Sequence, residues 1–265
     1  MRRVVAALAL GVFASGVLAS GVLASGSAQA QKDPRRSGFD DMSPATQAMQ
    51  QDDTQNPAML FVADGENLWK RPAGSDAKTC ASCHGDARTG MRGVAARYPA
   101  FDASLARPVT LGERLNLCRV RQQKAQGWRA ESPDLLALEA YVALQSRGQA
   151  ITSPDDTRLA PFRARGEQRY RQRIGQLDLA CGQCHDEHAG KRLGGSAIPQ
   201  GHPTGYPIYR LEWQALGSLQ RRLRGCYAGV RADAPPYGAI ELVELELYLA
   251  SRAAGMPVES PAVRP

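Results

Sequence analysis

Two five-residue runs limit what this chain can fold into. Cys80-Ala81-Ser82-Cys83-His84 and Cys181-Gly182-Gln183-Cys184-His185 share the pattern C-x-x-C-H, and each is followed by one further cysteine, Cys118 and Cys226. The six cysteines thereby fall into two sets of three. A C-x-x-C-H run reads as covalent attachment of a c-type haem, both thiols joined to the porphyrin and the histidine bound to iron. Cys-x-x-Cys pairs also build zinc knuckles, but zinc needs four ligands and a histidine directly after the second cysteine is not usual zinc geometry. The reading is two covalently bound haem c groups, held by Cys80 and Cys83 and by Cys181 and Cys184, with His84 and His185 on iron. Aromatic residues make up only 6% of the chain, which a porphyrin can offset as a large buried hydrophobe.

The motif belongs to a longer repeat. Gly65-Glu66 and Gly166-Glu167 precede the two motifs by the same interval, both features being offset by 101 residues between copies, and Glu139-Ala140-Tyr141 is answered by Glu246-Leu247-Tyr248. Two tandem copies of one domain are expected, over 61–152 and 153–265, with a break near 151–158 where Ser153-Pro154-Asp155-Asp156 interrupts the pattern. Residues 31–60 are polar, lack a helical apolar stripe and read as an extended arm laid on the surface. Residues 1–30 read as an export signal: Arg2 and Arg3, an apolar stretch, then Ala28-Gln29-Ala30 as a cleavage site. The competing reading is an uncleaved anchor, since the run from Val4 to Ser25 could span a bilayer. Its Gly/Ser content and the cleavage site favour removal and leave no stable membrane span.

Each copy reads as helices only, an all-α fold. Thr110-Leu111-Gly112-Glu113 is a capping box opening a helix that aligns Leu111, Leu115 and Cys118; Leu219, Leu223 and Cys226 repeat that face. Ser132-Pro133 starts another helix, with Leu135, Leu138 and Val142 inward, matched by Ile240, Val243 and Leu247. A helix, C-x-x-C-H, a loop and two more helices make the layout of a class I cytochrome c domain. The net charge of +7 goes with scattered arginines and no nucleic-acid motif, so nucleic acid is not an expected partner.

The second axial ligand of each iron is the open question, since cytochrome c iron usually takes Met or His there. Met91 and His188 lie too soon after their motifs to reach the far face comfortably; His202, in a Gly/Pro-rich loop, is a competitor. The position that repeats in both copies is the third cysteine, so Cys118 and Cys226 are the expected ligands. A Cys118–Cys226 disulfide and a pair of inert buried thiols are the alternatives. Arginines flank both cysteines, and Arg222 lies at i−4 from Cys226 on the same helical face. Such a guanidinium is expected to depress the thiol pKa and to offer a planar fork to an oxyanion. Pairing of one of these arginines with Glu212 or another carboxylate is the plainer reading.

The sequence resembles the SoxA family, the dihaem subunits of the Sox thiosulfate-oxidising system. The resemblance covers essentially all of the chain after the signal. It rests on both C-x-x-C-H runs, Leu117-Cys118-Arg119, Arg222 and Arg224 before Cys226-Tyr227, the arm with Gln50-Gln51-Asp52-Asp53 and Asn56-Pro57, and the stretch from Arg92 to Pro99. It implies a heterodimer with a monohaem c-type cytochrome subunit of the SoxX type, acting in the periplasm as an L-cysteine S-thiosulfotransferase. Thiosulfate would be joined oxidatively to a cysteine of a SoxYZ-type sulfur-carrier protein, with a downstream cytochrome c taking the electrons. It also implies His84 with Cys118 on one iron and His185 with Cys226 on the other, Cys226 as a catalytic cysteine persulfide, and Arg222 as the substrate-binding residue. A plain dihaem electron carrier, a haem-thiolate sensor and a tetrathionate-forming thiosulfate dehydrogenase remain as rivals.

Overall fold

Helices start where a side chain or a proline can open them. The computed structural model describes residues 33–152 and 156–265; the expected export signal and most of the expected break at Ser153-Pro154-Asp155 lie outside the described residues. In chain order the helices are α1 (Pro44–Gln51), α2 (Ala58–Lys70), α3 (Cys80–His84), α4 (Ala87–Gly90), α5 (Leu111–Gln122), α6 (Pro133–Leu144), α7 (Ala160–Arg171), α8 (Leu219–Gly229) and α9 (Ile240–Arg252). Thr110 caps α5 by accepting from the Glu113 amide, as expected, but the Glu113 carboxylate turns to Arg107 instead of closing the box. Ser132 and Pro133 open α6, although the serine hydroxyl makes no capping bond.

Two helix crossings organise the halves. α2 packs on α6, and α7 packs on α9. A Cβ on Gly65 would lie 2.1 Å from the Ala137 carbonyl oxygen, and one on Gly166 would lie 2.0 Å from that of Glu244. Glycine is therefore what lets each pair of backbones touch. Around the first crossing Val62, Leu68, Trp69, Leu136, Leu138 and Tyr141 form one core; around the second, Tyr170, Leu223, Leu242, Leu245 and Tyr248 form another. The inward residues expected on α6 and α9 are buried, apart from the partly exposed Ile240.

Helices are not the whole fold. Three small sheets are present among the described residues, made of β1 (Ala100–Asp102), β2 (Arg107–Val109), β3 (Arg192–Leu193), β4 (Ser196–Ala197), β5 (Ile208–Arg210), β6 (Ala215–Gly217) and β7 (Ala262–Arg264). The all-α expectation is thus corrected to a mostly helical fold with small sheets. Strands of two or three residues are too short for alternation to register. The β1–β2 and β5–β6 turns also reach positive φ at Ala106 and Gln214, where no glycine or asparagine advertises a hairpin. The two hairpins share one register: Ala100 faces Val109 and Asp102 faces Arg107, as Ile208 faces Gly217 and Arg210 faces Ala215. β7 adds to β5 in parallel.

The arm is also more structured than expected. α1 buries none of its own residues. Its Ser43 cap, Pro44 at the first turn and its packing beside β7 hold it in place of an apolar stripe. Gln50 Oε1 accepts from the Val263 amide at 3.0 Å, and Asn56 Nδ2 donates to the Pro261 carbonyl at 3.0 Å. Tyr209, Leu216 and Val263 join the first core, and Ala96, Ile151, Ala253, Met256 and Val258 form a third cluster shared by both halves. Residues Arg35–Pro265 accordingly make one compact unit.

Candidate functional site

The second C-x-x-C-H run leaves α7 through a short loop and winds into a wide turn over Gln183–Glu187. His185 Nδ1 lies 2.7 Å from the Pro199 carbonyl. A carbonyl can only accept, so Nδ1 carries the proton and Nε2 keeps its lone pair for a metal. Burial lowers the His185 pKa, keeping the ring neutral. Gly201, at φ +74, backs the ring so closely that a Cβ there would stand 3.2 Å from it. Behind the turn, Tyr170 donates its hydroxyl hydrogen to Asp186 at 2.9 Å, and Arg252 bonds the same carboxylate oxygen at 2.6 Å. In the first repeat Thr79 caps α3 through the Ser82 amide, and Trp69 donates from its indole to the Gly85 carbonyl at 3.0 Å. His84 is exposed, with the Trp69 ring 5.9 Å from its own.

The third cysteines come from the helices facing these motifs. Cys118 sits on α5 and Cys226 on α8, both half-buried, and all six cysteines are free thiols. The Cys118–Cys226 disulfide is therefore not formed. Each third cysteine acts instead on its own motif: Cys118 on Cys80, and Cys226 on Cys181. Burial pushes the Cys181 thiol up to about 11, with the charge of Cys226 adding to it.

The expected depression of the third thiols is overturned. Burial raises Cys118 despite Arg114 and Arg121, and raises Cys226 despite Arg222 and Arg210. Desolvating a thiolate here outweighs the neighbouring guanidiniums. A ligand that replaces the proton as the thiolate's partner would restore the balance. The donor set fits a c-type haem on these grounds: two thiols and a histidine with a free Nε2 on one side, and a desolvated thiol on the other. Among the described residues no group of three or more His, Cys, Asp or Glu converges on a point where a bare metal ion could sit.

The competing ligands have other surroundings. Met91 is buried in the first core, and His188 Nδ1 lies 2.7 Å from the Gln183 carbonyl. Most of the arginines are also spoken for. Arg114 pairs with Asp102 at 2.7 Å, Arg119 lies over Trp128 at 3.9 Å, Arg221 lies over Trp213 at 4.0 Å, and Arg224 bonds the Pro235 carbonyl. Glu212 pairs with Arg210 at 2.7 Å and not with Arg222. Among the described residues no carboxylate pairs with Arg222, which stands half-buried beside Cys226 and His185. Arg210 and Tyr206 are the residues that sequence reasoning passed over. Both act on Cys226 and Arg222, and the only signal for them was their place in the repeat, in hairpins too short to recognise.

The family model described as SoxA/TsdA, cytochrome c domain matches residues 64–151. The L-cysteine S-thiosulfotransferase subunit SoxA of Rhodovulum sulfidophilum is 37% identical over 229 residues, covering 86% of this chain and 80% of that protein. The subunit of the same name from Pseudaminobacter salicylatoxidans is 37% identical over 220 residues, covering 83% and 77%. The crystal structure of SoxXA from P. pantotrophus superimposes with a TM-score of 0.84 at 32% identity, over 87% of each chain. No helix among the described residues is long and apolar enough to cross a membrane.

Proposed function

The chain belongs to the SoxA family of L-cysteine S-thiosulfotransferase subunits, and from that premise we propose that it joins thiosulfate oxidatively to a carrier cysteine at Cys226. The observation that carries this reading is the pairing of a half-buried, desolvated thiol with an arginine that no carboxylate among the described residues neutralises. Thiosulfate is a dianion, and a fixed guanidinium concentrates and orients it without reorganisation. Arg222 holds the sulfonate end and leaves the sulfane sulfur toward Cys226. At Cys226 the whole thiosulfate is passed on to the thiol of a SoxYZ-type carrier, its sulfane sulfur ending bonded to the carrier sulfur with the sulfonate still attached. Making the new S–S bond from a thiol and thiosulfate releases one proton and two electrons. Haem c supplies the one-electron acceptance that this coupling needs.

The finer reading takes the chain as two tandem class I cytochrome c-like domains, 61–152 and 153–265, behind an arm, with two haem c groups. Cys80 and Cys83, with His84 and Cys118, would hold one; Cys181 and Cys184, with His185 and Cys226, would hold the other. The chain would work in the periplasm beside a SoxX-type monohaem subunit and deliver electrons to a downstream cytochrome c. The test is Cys226→Ser in the assembled complex, supplied with thiosulfate and carrier. Conjugated carrier should fall by more than about 10³-fold, and product analysis should show carrier adduct rather than tetrathionate. Conjugation at the wild-type rate would remove Cys226 from the chemistry.

A further inference from the structure

The two repeats build the same pocket with opposite charge at one position. The β1–β2 and β5–β6 hairpins share a register, and 108 residues separate Tyr98 from Tyr206, Asp102 from Arg210, Arg114 from Arg222, and Cys118 from Cys226. Each pocket therefore holds a tyrosine, an arginine and a cysteine in the same places. The last residue of the first hairpin strand is aspartate in one and arginine in the other.

In the first repeat Asp102 neutralises the pocket. Its side chain is only 4% exposed, pairs with Arg114 at 2.7 Å, and lies 3.6 Å from Arg121. It is fixed by bonds from the Ser104 hydroxyl and from the Ser104 and Leu105 amides, at 2.6, 2.9 and 2.9 Å. The arginine that corresponds to Arg222 is thus already bound to an anion that belongs to the protein.

In the second repeat no side-chain carboxylate among the described residues pairs with Arg222, and Glu212 turns to Arg210 instead. Arg210 is 13% exposed; its Nε donates to the Pro265 main-chain oxygen at 2.7 Å, and its guanidinium lies 5.0 Å from the Trp213 ring centre. Its side-chain carboxylate partner, Glu212, is 63% exposed, so water screens that pair. Burial, and then the like charge of Arg222, disfavour the Arg210 cation. Arg210 and Arg222 both act on Cys226 and on each other; like charges this close repel, and a dianion between them would offset that repulsion.

We infer that Arg210 is a second anion-holding residue beside Arg222, and that the exchange of aspartate for arginine at this position confines thiosulfate to the Cys226 pocket. The inference rests on the proposed reaction at Cys226. It explains why two pockets with the same tyrosine, arginine and cysteine would not both take the substrate: the first carries its own carboxylate where the second leaves room for an external anion.

The test compares Arg210→Asp, Arg210→Gln and Arg210→Lys with Arg222→Ala in the assembled, haem-loaded complex, using thiosulfate and carrier. Arg210→Asp puts a carboxylate at the position that Asp102 holds in the first pocket and should raise the KM for thiosulfate on the order of 10- to 100-fold. Arg210→Gln should raise it by about tenfold and Arg210→Lys by less than about threefold. The haem absorption spectrum should stay unchanged in all of them, and the salt dependence of kcat/KM should flatten in the aspartate and glutamine variants. A KM within about twofold of wild type for Arg210→Gln, with Arg222→Ala strongly impaired, would overturn the role of Arg210 alone. So would a fall in kcat and thermal stability with no change in KM, the mark of a merely structural arginine. If Arg210→Asp does not assemble, Arg210→Gln decides. Wild-type kinetics in Arg222→Ala as well would bring down the underlying reading of the Cys226 site.

Discussion

Replacing Gly166 by alanine tests how the second repeat is held. The new Cβ would lie 2.0 Å from the Glu244 carbonyl oxygen and 2.9 Å from the Tyr248 Cβ. Carbon and oxygen come no closer than about 3.3 Å without strain, so α7 and α9 must part by roughly 1 Å where they cross. Backbone meets backbone there, and no flexible side chain can swing away. The separation loosens the contacts of Tyr170, which is 1% exposed, with Leu245 and Tyr248. It also pulls on Glu244, whose buried carboxylate is held by Arg165 at 2.6 Å and Arg169 at 3.2 Å. Overpacking of this kind costs about 1–3 kcal/mol, and a weakened buried ion pair adds to it. Alanine's better helix propensity returns about 1 kcal/mol. The expected net loss is about 2–4 kcal/mol, a fall in Tm of roughly 5–12 °C for a unit of this size. Thermal unfolding of the haem-loaded chain, followed by far-UV circular dichroism, measures it. Because Tyr170 holds Asp186, the absorption of the second haem should shift too. A Tm equal to or above that of the wild type would refute the crossing argument.

Three further outcomes follow from the same geometry. Glu139 and Glu246 line a cavity of about 270 Å³ between the halves, and burial raises their pKa values to about 7 and about 8. Folding therefore takes up protons between about pH 4.5 and 8, and stability falls as pH rises through that window, by at most on the order of 3 kcal/mol for Glu139 and 5 kcal/mol for Glu246. Urea unfolding of Glu246→Gln should show a flatter pH slope, and an unchanged slope would contradict this. Gly201→Ala sets a methyl 3.2 Å from the His185 ring at φ +74, so it should shift the spectrum of the haem on His185 and leave that on His84 unmoved. Intact mass of the purified chain should show two covalently bound haems, and one haem would remove either Cys80 and Cys83 or Cys181 and Cys184 from the proposal.

The chemistry of this chain was more legible in its sequence than its architecture. The two C-x-x-C-H runs and the repeated third cysteine named the proposed donor set, and the periodic stretches that hold Cys118 and Cys226 fold as the helices α5 and α8. Caps did the same for α5 and α6 through Thr110, Ser132 and Pro133. Hairpins of three-residue strands escaped notice, because neither Ala106 nor Gln214 is a residue that marks a turn. α1 escaped because its anchors, Gln50 and Asn56, bond to residues more than 200 positions away. Arginine spacing around Cys226 suggested a depressed thiol, whereas burial, which no local pattern reports, reverses the sign. Glu139 and Glu246 were visible as repeat markers but not as acids facing one cavity. The contrast of Asp102 with Arg210 needed the shared hairpin register before the two positions could be compared.

The most direct measurement is peptide mass analysis of the haem-loaded complex, sampled before and during turnover with thiosulfate. The peptide carrying Cys226 should gain one or more sulfur atoms on that thiol, and the peptide carrying Cys118 should stay unmodified. An unaltered Cys226 throughout turnover, or extra sulfur on Cys118 alone, would contradict the assignment.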